Sequence, residues 1–555
     1  EEVFMADKSF DVVTVGGGNK ALVAAMYLTK YAGLKVGLFE ERHELGAGWS
    51  SEEPAGGWAG NTCSNDHMFW YQTALYWDFP EFKDYGARYA LTPTTVGTCF
   101  EDGTCFLQFS AFPEVDPDQE RTARLFDRFS KKDGDTYRWL WDKAVNYWLP
   151  GMLEWMYNPA KDVREADAMD MLIRNPDAGI DPHWLVMNPV QLFTSLFEDP
   201  HVQVGFFRVI QSWGIAADEP GAGWPALLSQ LTWLPYHVYV MGGTHCLTHA
   251  AYRVIYENGG EAFTSNKVEE ILIEDGKAKG IRLADGTEVE AKVAVVTDVD
   301  PYQLVFDLIG AEKLDSTIVR KVKHIARDWI NINWYSWALT ERPKWKCEEF
   351  EPWAKYCGWM CYGATSDLDV NAFVKESAER RAGIWPTDLN LAWSYMGVNE
   401  VQDFDQCMAP PDVGFKILTE QFVLPAFRLS DEEWKEREKR HAEEVIELTN
   451  RYAPNVTWDI VNGVVPVTPY FTKRFARNFA PAGNWGVIDN TPAQIGKFRP
   501  IPELAANRMP GIDRLYCTGT AWHPFAIANC AQGYNCYKSM SEDLGFKKTW
   551  EGRPY

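Results

Sequence analysis

The chain has 555 residues, several times the length of one domain, so more than one core is expected and a lone small binding module is excluded. Apolar residues make up 46% and charged residues 24%, which excludes wholesale disorder and an extended coiled coil. With 78 acidic against 54 basic side chains the formal charge is −24, a field that repels a phosphate backbone, and no basic stripe in the sequence relieves it; nucleic acid is excluded as a partner class.

The first informative stretch runs from Phe10 to Glu41. Asp11-Val12-Val13-Thr14-Val15 is a β-branched run ending at Gly16-Gly17-Gly18, Ala21 to Tyr31 carries apolar residues at helical spacing, and Lys35 to Phe39 reads as a second strand stopping at Glu40. This order gives Gly16-x-Gly18-x-x-Ala21 the spacing of a dinucleotide fingerprint, with an acidic residue about twenty positions on. Gly16 permits the tight turn, Gly18 lets a pyrophosphate reach backbone N–H groups at the helix start beside Asn19, and Ala21 lets helix and strand lie close. Glu40 accepts hydrogen bonds from a ribose in this reading. Beyond it, Glu41 leads into a small turn, Gly46-Ala47-Gly48, followed by Trp49 and Ser50.

From about Ala111 to Tyr236 the pattern is mainly helical, punctuated by prolines, and carries Trp139, Trp141, Trp148, Trp155, Trp184, Trp213, Trp224 and Trp233. No nucleotide motif occurs there, and the stretch interrupts the first unit, so it is expected to cover a substrate. A helix then follows Gly242-Gly243, and Val268 to Ile273, Lys279 to Leu283 and Glu288 to Val296 form a three-strand meander turned by Asp275-Gly276 and Asp285-Gly286. His245 and His249 share one helix face, but no third ligand can be nominated, and no metal is expected. Within a second interruption, from about Tyr302 to Ala482, Trp329 to Leu339 and Asn390 to Met396 have strand character suited to the floor of a cavity. Ser430-Asp431-Glu432-Glu433 is a capping box opening a charged helix toward Tyr452. The last block reads Phe498-Arg499-Pro500-Ile501-Pro502, a strand at Leu515 to Cys517, Gly519-Thr520-Ala521-Trp522-His523-Pro524, and Gly533-Tyr534-Asn535 opening the final helix.

Three blocks, 8–105, 236–301 and 483–555, together resemble the phytoene desaturase-like oxidoreductases of the carotenoid oxidoreductase and amine oxidase superfamily. The likeness rests on the opening fingerprint, the glycine signature after the acidic strand end, the meander, and an R-P-x-P followed by an H-P closing signature. Ala47 stands where the family has its second glycine, Trp49 where it often has Arg, and Phe525-Ala526-Ile527-Ala528 where it continues in glycines. The resemblance implies an α/β architecture: a Rossmann-type, glutathione-reductase-like FAD-binding domain from those three blocks, and an inserted α+β, aromatic-rich substrate domain from 106–235 and 302–482. It implies FAD held by Gly16, Gly18, Asn19, Ala21, Glu40, Glu41, Gly46, Gly48, Trp49, Ser50, Val268 (through its backbone, at the adenine), Gly519, Thr520, Ala521 and Gly533. His523 and Tyr534 are the candidate proton acceptors.

The activity so implied is hydride transfer from a hydrophobic isoprenoid or terpenoid substrate to the flavin, by desaturation or by allylic oxidation with water. A flavin amine oxidase, a redox-neutral isomerase or saturase, and a flavin-binding subunit of a heteromeric dehydrogenase are the alternatives. Quinone, a protein electron carrier or oxygen is the expected acceptor, and the candidate partners include a second copy or a second subunit. Eleven scattered cysteines without a CxxC pair, no secretory leader and no apolar stretch of 18 residues point to a cytoplasmic protein, with its aromatic helices a candidate contact to a membrane surface.

Overall fold

The computed structural model describes residues 8–64, 67–211, 214–363, 368–396, 407–411, 414–526 and 529–553. The expected α/β architecture is present. A seven-stranded sheet is built on β1 (Lys8–Val15), which pairs in parallel with β2 (Val36–Phe39) on one side and with Glu288–Thr297 on the other. Glu261–Phe263 extends the sheet beyond β2. The long strand Glu288–Thr297 forks: its first half continues into the antiparallel meander Val268–Glu274 and Lys277–Leu283, and its last three residues pair in parallel with Leu515–Cys517. Strand ends from three distant parts of the chain therefore finish side by side.

Helix α1 (Asn19–Lys30) follows β1 directly and is buried from Asn19 to Thr29. Such complete burial needs apolar or small residues all round the helix, which NKALVAAMYLTK supplies apart from its first two positions. The helix packs against His245–Glu257 and Ala531–Leu544. Its contact with the last helix is close because Gly533 lacks a side chain: a Cβ there would lie 2.5 Å from the Lys20 carbonyl oxygen and 2.8 Å from Val23 Cβ.

The second sheet also has seven strands, in the order Val461–Val467, Ile332–Leu339, Phe415–Phe422, Asn390–Met396, Cys357–Gly363, Thr94–Cys99 and Cys105–Phe109. The last two correct the expected boundary at 105. Thr94–Cys99 pairs in parallel with Cys357–Cys361, so the hairpin 94–109 completes the second sheet rather than the first. Aromatic rings of segment 126–233, Trp148, Trp184 and Trp224 among them, join its aliphatic side chains in one continuous core with α1 and the final helix. Trp213 lies outside the described residues. The capping box at Ser430 is formed, the Ser430 hydroxyl accepting from Glu433 N–H and the Glu433 carboxylate from Ser430 N–H, and it opens the 22-residue helix Asp431–Tyr452. Among the described residues no helix is long and apolar enough to cross a membrane.

Gly533→Ala separates packing from propensity. Alanine is the better helix former by about 1 kcal/mol, yet the added carbon meets the α1 backbone, and overpacking costs typically ~1–3 kcal/mol. The variant is expected to unfold at a lower temperature than the parent in a calorimetric scan.

Candidate active site

A cleft of about 510 Å³ opens at the carboxyl ends of the parallel strands. Its outer part is lined by Val15, Gly16, Gly18, Asn19, Glu40, Glu41, Arg42 and Val268. The N-terminus of α1 meets it without a side-chain cap, Gly18 at the cap position being in extended conformation. Free N–H groups at a helix start are an anion site. Here one of them, of Ala21, donates to Asp298 Oδ2 at 3.0 Å. Asp298 follows Glu288–Thr297, and it is crowded from three sides: a Cβ at Gly18 would lie 2.5 Å from Oδ2, one at Gly519 2.7 Å from Oδ1, and one at Gly16 3.5 Å from the carbonyl oxygen. Gly16 and Gly519 also have φ of +93° and +121°, a region that favours glycine.

Burial pushes the Asp298 carboxyl up to about 6, against the opposing pull of the Ala21 N–H and the Lys20 ammonium. Lys20 is itself buried, which lowers its ammonium below the usual lysine range despite the neighbouring Asp298. Glu40 closes the outer end of this arm. Its Oε2 accepts from Gly17 N–H at 2.7 Å and its Oε1 from Arg42 N–H at 2.8 Å, while burial raises its carboxyl above the ordinary value. The Arg42 guanidinium lies 3.6 Å over the Phe475 ring, and Lys473, Arg474 and Arg477 line the same mouth. The arginines are each paired, Arg42 with Glu44 at 2.7 Å, Arg474 with Asp431 at 2.7 Å and Arg477 with Asp307 at 2.8 Å, so charges of both signs from distant segments meet at this mouth.

The inner part of the cleft is different. Ile330, Ile332, Trp334, Trp359, Trp485 and Val487 supply apolar wall, with Cys63, Ser64, Asn490, Thr520 and Ala526 between them. Glu420, on strand Phe415–Phe422, is the carboxylate contributed by the second sheet, and its Oε2 accepts from Trp334 Nε1 at 2.9 Å. The closing Arg499 is fully buried and acts as a staple: its guanidinium donates to the carbonyls of Gln494 at 2.8 Å, Gly486 at 3.2 Å and Thr520 at 2.9 Å, fixing two cleft-lining segments together.

The sequence-derived residues divide accordingly. Gly16, Gly18, Asn19, Glu40, Glu41, Gly48, Val268 and Thr520 line the cleft, and Ala21 and Gly519 hold Asp298 from behind. Gly46, Trp49, Ser50 and Ala521 are not in its wall. Gly46 N–H donates to the Gly17 carbonyl, and its φ of +103° leaves no room for a Cβ beside Thr248 Oγ1. Trp49 is fully buried with its carbonyl bonded to Thr248 Oγ1, and the Ser50 hydroxyl donates to the Ala47 carbonyl. These residues shape the turn from beneath. Ala47 has φ 43°, which explains a glycine preference at that point and makes this chain strained there. Gly533 serves helix packing instead of a cofactor.

Both candidate proton acceptors are displaced from the cleft. His523 is buried, its Nε2 bonded to the Trp155 carbonyl at 3.0 Å, and burial lowers its pKa, so it holds a neighbouring segment in place. Tyr534 is buried against Tyr27 and Tyr157, and burial raises its phenol. The rings of His245 and His249 meet edge to face at 4.6 Å, and among the described residues no three metal-ligating side chains gather. Lys20, Asp298, Arg42 and Glu420 escaped the sequence reading. Only Lys20 carried a signal there, as a cation inside the glycine fingerprint.

Residues 14–92 match the NAD(P)-binding Rossmann-like domain family. A limonene dehydrogenase subunit of Castellaniella defragrans is 23% identical over 98% of this chain and 96% of its own length. Phytoene desaturase (neurosporene-forming) of Rhodobacter capsulatus is 48% identical over 10% of this chain and 11% of its own. A triple mutant of putrescine oxidase shares the fold, with a TM-score of 0.58 at 13% identity, covering 97% of this chain and 99% of its own. The opening strand, glycine turn and helix of this chain fall inside the matched domain or at its edge; the closing block and all of the second sheet lie outside it.

The position of Asp298 sets a pH dependence. Its carboxyl is raised above the unfolded value of about 4, so the folded chain binds the extra proton between about 4 and 6 and the charge is present at neutral pH. A diphosphate brought to the start of α1 is repelled by that charge. With FAD as the probe, affinity is expected to tighten roughly tenfold, about 1.4 kcal/mol, as pH falls from neutral through 6. Asp298→Asn is expected to remove the dependence, measured by fluorescence titration.

Proposed function

We propose that the chain is an FAD-dependent dehydrogenase that takes a hydride from a hydrophobic isoprenoid or terpenoid substrate, producing a desaturated or, with water, an allylically oxidised product. The observation that carries this reading is the cleft itself, whose polar outer arm has the groups that suit an ADP moiety and whose inner end is apolar around one carboxylate. The glycine cradle at Gly16, Gly18 and Gly519, the uncapped start of α1 and the Glu40 carboxylate fit the cofactor. Gly16 to Asn19 would hold the pyrophosphate, Glu40 the ribose, Val268 the adenine and the Thr520 segment the ring system. Bound FAD supplies a two-electron, hydride-accepting ring.

The chain's own residues do the rest. Trp334, Trp359 and Trp485 exclude water from the inner end and present flat apolar surface to a hydrocarbon. When a substrate carbon gives up hydrogen with its electron pair, the adjacent carbon must lose a proton for the double bond to form. Glu420 accepts that proton, and the Trp334 indole N–H holds its carboxylate in place. Similarity to a protein named as one component of limonene dehydrogenase supports a second subunit as partner, with quinone, a protein carrier or oxygen taking the electrons.

Anaerobic mixing of the FAD-loaded chain with terpenoids, carotenoids and amines tests the reading. A terpenoid is expected to bleach the oxidised flavin band, and Glu420→Gln to slow bleaching by roughly 10²–10⁴-fold while FAD content stays unchanged. Bleaching by amines and by no isoprenoid would overturn the proposal.

A further inference from the structure

Beyond strand Val461–Val467 of the second sheet the chain forms helix Pro469–Phe475 and the single turn Arg477–Phe479. Residues 473–480 line the same cleft as Gly16, Gly18 and Asn19. This stretch is held at two places. Near its start the Phe475 ring lies against the Arg42 guanidinium, 3.6 Å away. Further along, Asn478 is bonded to the chain just past Glu288–Thr297: its Nδ2 donates to the Asp298 carbonyl at 3.0 Å, and its Oδ1 accepts from Asp300 N–H at 2.8 Å and from Gln303 Nε2 at 2.9 Å. Arg477 adds the ion pair with Asp307 at 2.8 Å.

The two holding points lie on either side of β1. Arg42 comes after β2 and Asp298 after Glu288–Thr297, and β1 pairs with both strands from between them. A segment tied to both neighbours therefore crosses the end of β1, where Gly16 to Asn19 lead into α1. The Asn478 contact also demands an amide. A carbonyl needs a donor and an N–H needs an acceptor; one carboxamide offers both, whereas a carboxylate offers no donor. Asp298 thus meets the start of α1 through its carboxylate and the crossing segment through its carbonyl.

We propose that residues 473–480 form a strap across the outer arm of the cleft, fastened by Asn478, and that this strap sets the rate at which FAD enters and leaves. The inference rests on the FAD part of the reading above and is independent of the substrate. Asn478 is bonded to protein groups, so its bonds belong to the barrier and not to the affinity. Unfastening the strap lowers that barrier in both directions and leaves the ratio of the two rates nearly unchanged. A residue that touches the cofactor acts differently, because its loss speeds release alone.

Association of FAD with the full chain, and its release on dilution, are followed by flavin fluorescence. Asn478→Ala is expected to speed both about tenfold or more, with Kd moving by less than about threefold. Asn478→Asp, of the same size, is expected to act likewise because the donor is lost. The exposed Arg477–Asp307 pair is a second arm: Arg477→Asp is expected to speed both rates about twofold to fivefold, and Arg477→Asp combined with Asp307→Arg to restore them. Faster release without faster association, the mark of a damaged site, would overturn the strap, as would rates that move in none of the variants. If Asn478→Ala fails to fold, the surface pair decides alone. Uptake of FAD at rates indifferent to these residues keeps the cofactor reading and removes the strap, whereas a chain that takes up no FAD in any form loses both.

Discussion

The start of α1 has no side chain to cap it, and the charge that meets its N–H groups comes from a residue 277 positions beyond Ala21. The Asp298 carboxylate has room at Ala21 because Gly18 and Gly519 carry no Cβ toward it. Those glycines belong to the first and last blocks of the chain, and Asp298 to the middle one. The parallel pairing of Lys8–Val15, Glu288–Thr297 and Leu515–Cys517 brings them to that carboxylate, at the end of the sheet where the outer arm of the cleft opens. Interrupting sequence can be long because the contact is fixed by parallel strand pairing, which is indifferent to what is inserted between the strands.

The inserts turn that indifference to use. One contributes a sheet whose Trp334, Trp359 and Glu420 reach the inner end, the other a bundle whose tryptophans form a second, drier space. Arg499 and Phe525 join them. The guanidinium ties segment 486–494 to Thr520, and the phenyl ring stands as the partition between cleft and cavity. A polar arm and an aromatic space beside it are thus joined by a few residues of the closing block.

Periodicity and glycine spacing made the first sheet legible, since each of its elements is local: β1, α1, β2 and the meander fall where the pattern puts them. Positions in the cleft were legible where glycine spacing and the acidic strand end mark them, as at Gly16, Gly18 and Glu40. The hairpin 94–109 was misassigned because its partner strand lies about 260 residues away and parallel pairing leaves no local mark. Gly533 and His523 drew cofactor or catalytic readings because a glycine at a helix start and a buried imidazole look alike in sequence whether they face a ligand or a neighbouring helix. Arg42, Lys473, Arg474 and Arg477 come to one mouth only after folding, so total charge gave no hint of their meeting.

Convergence of three blocks on one cleft underlies every functional step proposed for this chain, FAD binding first. The most direct measurement is the absorbance spectrum of the chain as purified, with the FAD released on denaturation counted per chain. A yellow protein yielding one FAD per chain is the predicted result. A colourless chain that takes up no FAD when it is supplied, or that takes up a nicotinamide dinucleotide in its place, would contradict that convergence.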